Sequence, residues 1–486
     1  MTTVGTKEDN HQSAEITQSD IKSQESSNYI TEEWLISIKN SGYDTSKKTR
    51  IYEVPTLLRT NESFRNCFDP LVVSIGPYHF GKPQLKEFQQ LKFPFARKFC
   101  RTYCDQVSIE QLYDEVAKVG DSARKCYAEG LTERYNDEEF NRIMFLDALF
   151  VLHVVFRPVN VSSEAEEDHE VQNAVNERLV KSFELVLRDL LLLENQIPLL
   201  VLKVLMEFVS KEQERKIDDF IEYILELFTI KPRRKNLCTN NIAMKFLERM
   251  TGCCSKSAPK TEWPDWDDSQ DHLLQLVRKK LTRPIITHDI KDIIEYLKES
   301  NVREWYRSVT DLKSAGIYFK SNQTGNLTDV EFIPGLVSGI ITLPSIRVDH
   351  LTRPLLLNLV AYEICPHGPL DLFITSYICL MDSFIDHADD VKELRQKGIL
   401  TNKLGSDEQL AQFFNGIANH LFPNPYAYFG VKSNIDTHCD QKGHIWMAEW
   451  MHKYFSSPWA LLAFLGAILV LALTMAQTYF AAYPPS

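Results

Sequence analysis

Apolar residues recur at helical spacing through most of this chain, and three regions break the rhythm. Leu179, Phe183, Val186, Leu190 and Leu193 alternate steps of four and three, the seam of a helix facing a core. Lys181, Glu184 and Arg188 take the opposite side, with Glu184 and Arg188 spaced to pair at i,i+4. Phe140–Phe156 is apolar on nearly every face and reads as a central helix. Pro198 is expected to kink or split the helix that carries the seam. Asp390-x-x-Glu393 and Ser406-x-x-Gln409 fit capping boxes, and Gly398 sits where a helix would stop.

The first break is PLVVSIGPYHFGKPQL, where Pro70, Gly76, Pro77, Gly81 and Pro83 dictate extended and turn segments. The second, Lys231–Asp271, holds KPRRKN, TGCCSKSAPK and WPDWDDSQD and reads as loops around a short helix. The third spans residues 316–348, where GIYFKSN, LTDVEFI and GIITLPSIRV are short, β-branched and separated by turn residues. These predict a small antiparallel sheet. No internal repeat accompanies them. The fold class that follows is mainly α with a small antiparallel β element, one large helical domain over residues 49–454.

Residues 1–48 are polar apart from an island at Tyr29–Ile38, and read as a flexible arm carrying a short helix. The other end is its opposite. From Trp459 to the last residue no side chain is charged, and Trp459 to Tyr479 would span about 30 Å as a helix. Tyr454 and Trp459 flank one edge, and Tyr479 and Tyr483 the other, as amphipathic rings do at membrane interfaces. Residues 455–486 are therefore expected to hold a single transmembrane helix with a short tail. The N-terminus has no apolar segment of a secretory signal, so the expected arrangement is a tail anchor with the N-terminal bulk in the cytosol. His452 and Lys453 before the span agree with that orientation. Sequons at Asn61, Asn160, Asn322 and Asn326 would then stay bare.

A formal net charge of −12 excludes a general nucleic-acid binder, which needs a basic face to displace counterions. Ten cysteines are scattered without a small disulfide framework, as expected of reduced thiols. There is no Gly-rich phosphate loop, nucleophile elbow, H-E-x-x-H or paired C-x-x-C. The densest polar cluster inside an apolar stretch is Arg188, Asp189, Glu194, Asn195 and Gln196, followed by Pro198. Asp189 and Glu194 lie about 140° apart around a helix, so their carboxylates diverge and the cluster reads as structural. Asp382, Asp386, His387, Asp389 and Asp390 read as a solvated helix junction rather than a metal site. Asp265–Asp271 lacks the Gly and Glu of a calcium loop, and His438, Cys439 and His444 lack a fourth zinc ligand. His79 reads as a hydrogen-bonded turn histidine. No cofactor, catalytic residue or metal site is assigned.

Several segments together resemble a plant family known as domain of unknown function 247, or uncharacterised protein family 0481. They are VVSIGPYHFGKPQL, RDLLLLENQIP, HLLQLV, AGIYFK, LLLNLVAYE, SYICLMDSFID, YFSSPWA and LALTMAQTYF. Where family members read D-G-C-F, this chain has Asp147-Ala148-Leu149-Phe150. The resemblance implies a plant membrane protein with a mainly helical cytosolic domain. The association of grass members with pollen–stigma self-incompatibility implies recognition or signalling through protein partners. Two other readings stay open: a membrane-associated enzyme of unrecognised type, and a soluble helical protein whose last helix packs in the bundle.

Overall fold

A computed structural model describes residues 51–104, 106–156, 170–209, 216–229, 272–282, 307–322, 324–335, 338–419, 421–440 and 458–482. The polar arm, Lys231–Asp271, the calcium-like loop, His444, Tyr454 and Tyr483 lie outside these residues. Helices of six or more residues run, in order, α1 (Lys86–Tyr103), α2 (Ile109–Lys118), α3 (Asp137–Phe156), α4 (Glu170–Leu190), α5 (Leu199–Met206), α6 (Lys216–Phe228) and α7 (Leu273–Leu281). Then follow α8 (Val309–Ser314), α9 (Thr352–Ile364), α10 (Phe373–Phe384), α11 (Ala388–Gln396), α12 (Asp407–Ala418), α13 (Phe429–Asp440) and α14 (Pro458–Ala482).

The central position expected of α3 is observed. Phe140, Met144, Ala148, Phe150 and Leu152 are fully enclosed, and α1, α2 and α5 pack around the helix. The α4 seam holds as far as Leu190: Leu179, Val186 and Leu190 are buried and Phe183 is partly buried, but the helix ends there, so Leu193 is buried in the loop beyond it. The expected Glu184–Arg188 pair does not form. Arg188 turns inward to Asp189 and to the carbonyls of Asn66 and Asp69, while Glu184 meets His350 Nε2 at 3.3 Å. A guanidinium has five donors, and buried carbonyls use more of them than one exposed carboxylate would. Pro198 does not kink a continuous helix: α4 already stops at Leu190, a loop follows, and Pro198 directly precedes the first residue of α5.

The sheet differs from expectation in its direction. Strands β1 (Ile317–Asn322), β2 (Glu331–Ile333) and β3 (Gly339–Pro344) lie in the order β1-β3-β2. β2 and β3 form an antiparallel hairpin, but β1 runs parallel to β3. The connection after β1 carries the chain past β3's place to the far edge, so the returning strand fills the middle in β1's own direction. β4 (Ile346–Val348) and β5 (Leu400–Asn402) also pair in parallel, with α9–α11 between them as the long crossover that parallel strands require.

The helix-start signals are correct for Ser406, whose hydroxyl accepts from Gln409 N–H, and Gly398 has the left-handed φ of 70° expected after a helix. Asp390 plays a different part. It sits inside the first turn of α11, and one carboxylate oxygen accepts the amides of Asp386 and His387. The other accepts Thr310 N–H at 2.9 Å and Thr310 Oγ1 at 2.7 Å, so one side chain satisfies the N-termini of α8 and α11. Asp390 is thus occupied and the metal reading of this junction gains nothing. His438 and Cys439, expected in a loop, are buried on α13.

The expected membrane span is not established by the structure: among the described residues no helix is long and apolar enough to cross a membrane. The backbone of α14 runs for 25 residues, but its side chains are described only from 462 to 478, about 26 Å of helix. Trp459 and Tyr479 lie on α14 beyond those limits.

Candidate functional site

The breaker-rich segment 69–80 takes the course of extended and turn segments that its prolines and glycines dictate, with bends at 71–72 and 76–79, and it joins no sheet. Its buried amides and carbonyls therefore need other partners. The loop that follows α4, RDLLLLENQIP, supplies most of them. Asp189 accepts the amides of Leu71, Val72 and Val73 at 3.0, 2.7 and 3.0 Å. Asn195 accepts Ile75 N–H at 2.6 Å through its oxygen and donates to the carbonyls of Val73 and Asp189. Gly76 N–H donates to Asp147 of α3 at 2.8 Å. The ammonium of Lys92 (α1) donates to Ser74 O at 2.6 Å and also meets Asp147, both side chains being fully enclosed. Side chains thus replace the neighbouring strand that an extended segment ordinarily uses.

The same loop is tied in other directions. Gln196 donates to the carbonyls of Leu190 and Leu192 and accepts Leu274 N–H from α7. Asn358 of α9 accepts Leu193 N–H at 2.8 Å and donates to Cys67 O. All five polar residues singled out, Arg188, Asp189, Glu194, Asn195 and Gln196, are buried. Arg188, Asp189, Glu194 and Asn195 each bond segments remote in sequence, Asn195 bonding the nearby Asp189 carbonyl as well, and Gln196 bonds both its own loop and Leu274. The helical spacing expected of Asp189 and Glu194 does not apply, because α4 ends at Leu190 and Glu194 lies in the loop beyond it; their carboxylates serve different segments, the amides of Leu71, Val72 and Val73 and the amide of Val54.

Among the described residues, Glu194 leads to a group of side chains with the makings of chemistry. Its carboxylate accepts Val54 N–H at 2.7 Å and pairs with Arg59 at 2.6 Å. His79 Nε2 lies 3.3 Å from it, and His79 Nδ1 lies 3.9 Å from Asp69. Neither imidazole nitrogen forms a well-directed hydrogen bond, although the ring is buried. His79, expected as a hydrogen-bonded turn histidine, is held against the Glu194 carboxylate by a loosely directed contact. Burial by itself would raise the Glu194 carboxyl, but His79, Arg59 and the Val54 amide outweigh it and hold the group below the ordinary carboxylate range.

Asp69, His79 and Glu194 each offer a ligand atom, all within 4.8 Å of one another. The donor set would suit a divalent transition metal. Arg59, however, already bridges the two carboxylates, at 3.3 Å to Asp69 and 2.6 Å to Glu194, and Lys82 lies 3.6 Å from Asp69. Two fixed cations neutralise the two carboxylates, and the guanidinium takes the place a metal ion would need. The cluster reads as a closed ion-pair knot.

Sequence reasoning missed Arg59, Lys92, Asp147, Asn358 and Glu363. Four of them, Lys92, Asp147, Asn358 and Glu363, shared one signal: a single polar residue inside an apolar run, as in FLDALF and LLLNLV. Glu363 shows its worth. It accepts the amides of Ile374 and Thr375 at the start of α10 and pairs with Arg278 of α7. The preceding Leu372 has φ of 47°, and its own side chain cannot cap the helix.

A strap of bends and extended residues, clamped by buried side chains, runs through this mainly helical domain. The chain belongs to the DUF247 family of plant proteins of unknown function, whose family model matches residues 51–473. It is 24% identical to a putative UPF0481 protein of Arabidopsis thaliana, over 92% of this chain and 94% of that one. A second UPF0481 protein of the same plant is 26% identical over 87% of this chain and 85% of its own length. No solved structure matches.

Proposed function

We propose that this protein is a single-pass membrane protein, anchored through α14, whose helical domain binds other proteins from the cytosolic side. The observation that carries the proposal is the exposure of α14. Leu462, Leu465, Leu469, Val470, Leu473 and Met475 are 53–71% exposed, and every side chain from 462 to 478, on all faces of the helix, is exposed. A helix apolar all round is stable in lipid or a core, and the described part of α14 is not in a core. Its hydroxyls agree with lipid: Thr474 Oγ1 donates to Val470 O at 2.7 Å and Thr478 Oγ1 to Thr474 O at 2.8 Å, within the helix.

Protein binding is supported by the domain's surface. Leu370 and Phe422 are 95% and 82% exposed on two loops joined by Asn424 Nδ2, which donates to Asp371 O at 3.0 Å. Two such large apolar side chains, on loops tied by that hydrogen bond, offer a surface for protein contact. The acidic balance argues against nucleic acid.

Carbonate washing of membranes tests the anchor, comparing the full chain with one stopped after Ser457. Retention of the full chain alone is expected. A full chain that washes off would end the proposal. Orientation is read from glycosylation at Asn61 and Asn322. Asn326 is 3% exposed, its oxygen accepting from Thr328, so a glycan there conflicts with the fold. Bare Asn61 and Asn322 are expected; glycans on them would put the domain on the luminal side.

A further inference from the structure

The outer face of the β1-β3-β2 sheet carries two rows set by the strand register. Tyr318 is level with Ile340, and Ile340 with Ile333, giving an apolar row across all three strands. These side chains are 43%, 37% and 51% exposed, while Ile317, Phe319, Ile341 and Phe332 fill the inner face. In the next row Lys320 is level with Thr342, and Thr342 with Glu331. One edge of this row is therefore a cation, the middle neutral, and the other edge an anion.

That order is self-complementary. A twofold axis parallel to β3, halfway between two facing sheets, exchanges the β1 and β2 edges without moving residues along the strand. It sets Lys320 against Glu331 of the second copy, Glu331 against Lys320, Tyr318 against Ile333, and Ile340 against itself. Facing sheets sit about 10 Å apart at about 30° to each other, and three short strands tolerate that rotation. We propose that this face is a homodimer interface, occupied by a second copy of the chain. A foreign partner would need a matched charge order that the chain's own symmetry already supplies.

Three short strands present less than the roughly 800 Å² per partner of a standard interface, so association in solution is weak. Confinement to one membrane raises the effective concentration toward the millimolar range, and this step rests on the anchoring proposed above.

The test is energy transfer between donor- and acceptor-labelled full chains in vesicles of zwitterionic lipid. Wild type should exceed the transfer given by random proximity. K320E and E331K each set like charges opposite one another twice and should lower association by about tenfold. Mixing K320E chains with E331K chains should restore it, because both cross-pairs become attractive. I340D should abolish it. Transfer at the random level in wild type, or indifference to both charge variants, overturns the proposal. If the full chain washes off the vesicles, the anchor fails separately. The same variants are then compared by sedimentation equilibrium at up to about 1 mM, where a monomeric wild type overturns the dimer.

Discussion

Asp189 Oδ2 accepts the amides of Val72 and Val73 at 2.7 and 3.0 Å, across more than a hundred residues of chain. A carboxylate offers acceptors alone, so it satisfies three consecutive donors that neither an amide nor a hydroxyl side chain could. Removing it strands buried N–H groups and leaves Arg188 without its carboxylate.

The Asp189→Ala change should therefore cost about 3–5 kcal/mol, and Asp189→Asn about 2–4 kcal/mol because one acceptor survives. Urea unfolding measures both, as a lower midpoint at an unchanged m-value. A loss below about 1 kcal/mol for Asp189→Ala would mean that the strap is not held from this side chain.

Gly76 has φ of 72°, and a Cβ there would lie 2.5 Å from Gln196 O and 3.0 Å from Tyr127 Oη. Gly76→Ala combines left-handed strain with a clash against main chain and should cost about 2–4 kcal/mol. Gly81→Ala serves as the comparison: it has a similar φ of 82° but open space, so strain alone should cost about 1 kcal/mol.

Glu194 is held below the ordinary carboxylate range in the folded chain. Its contribution to stability is present above the unfolded value near 4.3 and is lost as pH falls through the lower folded value. Glu194→Gln should be less stable than wild type at neutral pH, with the gap closing below about pH 4. Chemical denaturation at pH 7 and at pH 3.5 checks this, and an equal gap at both refutes it.

Asp382 behaves in the opposite sense. Burial, then the like charge of Asp386, raises its carboxyl to about 6. Between about pH 4 and 6 the folded chain keeps a proton that the unfolded chain has released, so stability falls as pH rises through this window. Asp382→Asn removes that slope and should melt higher than wild type at pH 7.5 but not at pH 4. The carboxyl titration followed by NMR gives the same answer directly.

Arg59 occupies the space between Asp69 and Glu194, and its loss should open that space to a cation. Zn²⁺ is expected to raise the melting temperature of Arg59→Ala while leaving wild type unchanged. Zn²⁺ stabilisation of wild type would show instead that the guanidinium yields to metal.

The sequence by itself determined the helical domain, because the α3 and α4 patterns repeat along a single element and name their buried faces without help from elsewhere. It also marked the strap as non-helical through its prolines and glycines, and singled out the polar cluster Arg188–Gln196, though as part of a helix rather than the loop beyond α4. Tertiary structure alone decided what those polar groups do. Asp189, Asp147, Lys92 and Asn358 serve amides and carbonyls far along the chain, and no local pattern records which segment will be enclosed beside them. The parallel course of β1 and β3 was hidden for the same reason: alternation fixes the face of a strand, whereas its direction depends on how the connection crosses. Arg59 shows the limit most plainly. In the sequence it is one more surface-type cation, and only the approach of Glu194 from 135 residues away makes it the centre of a knot.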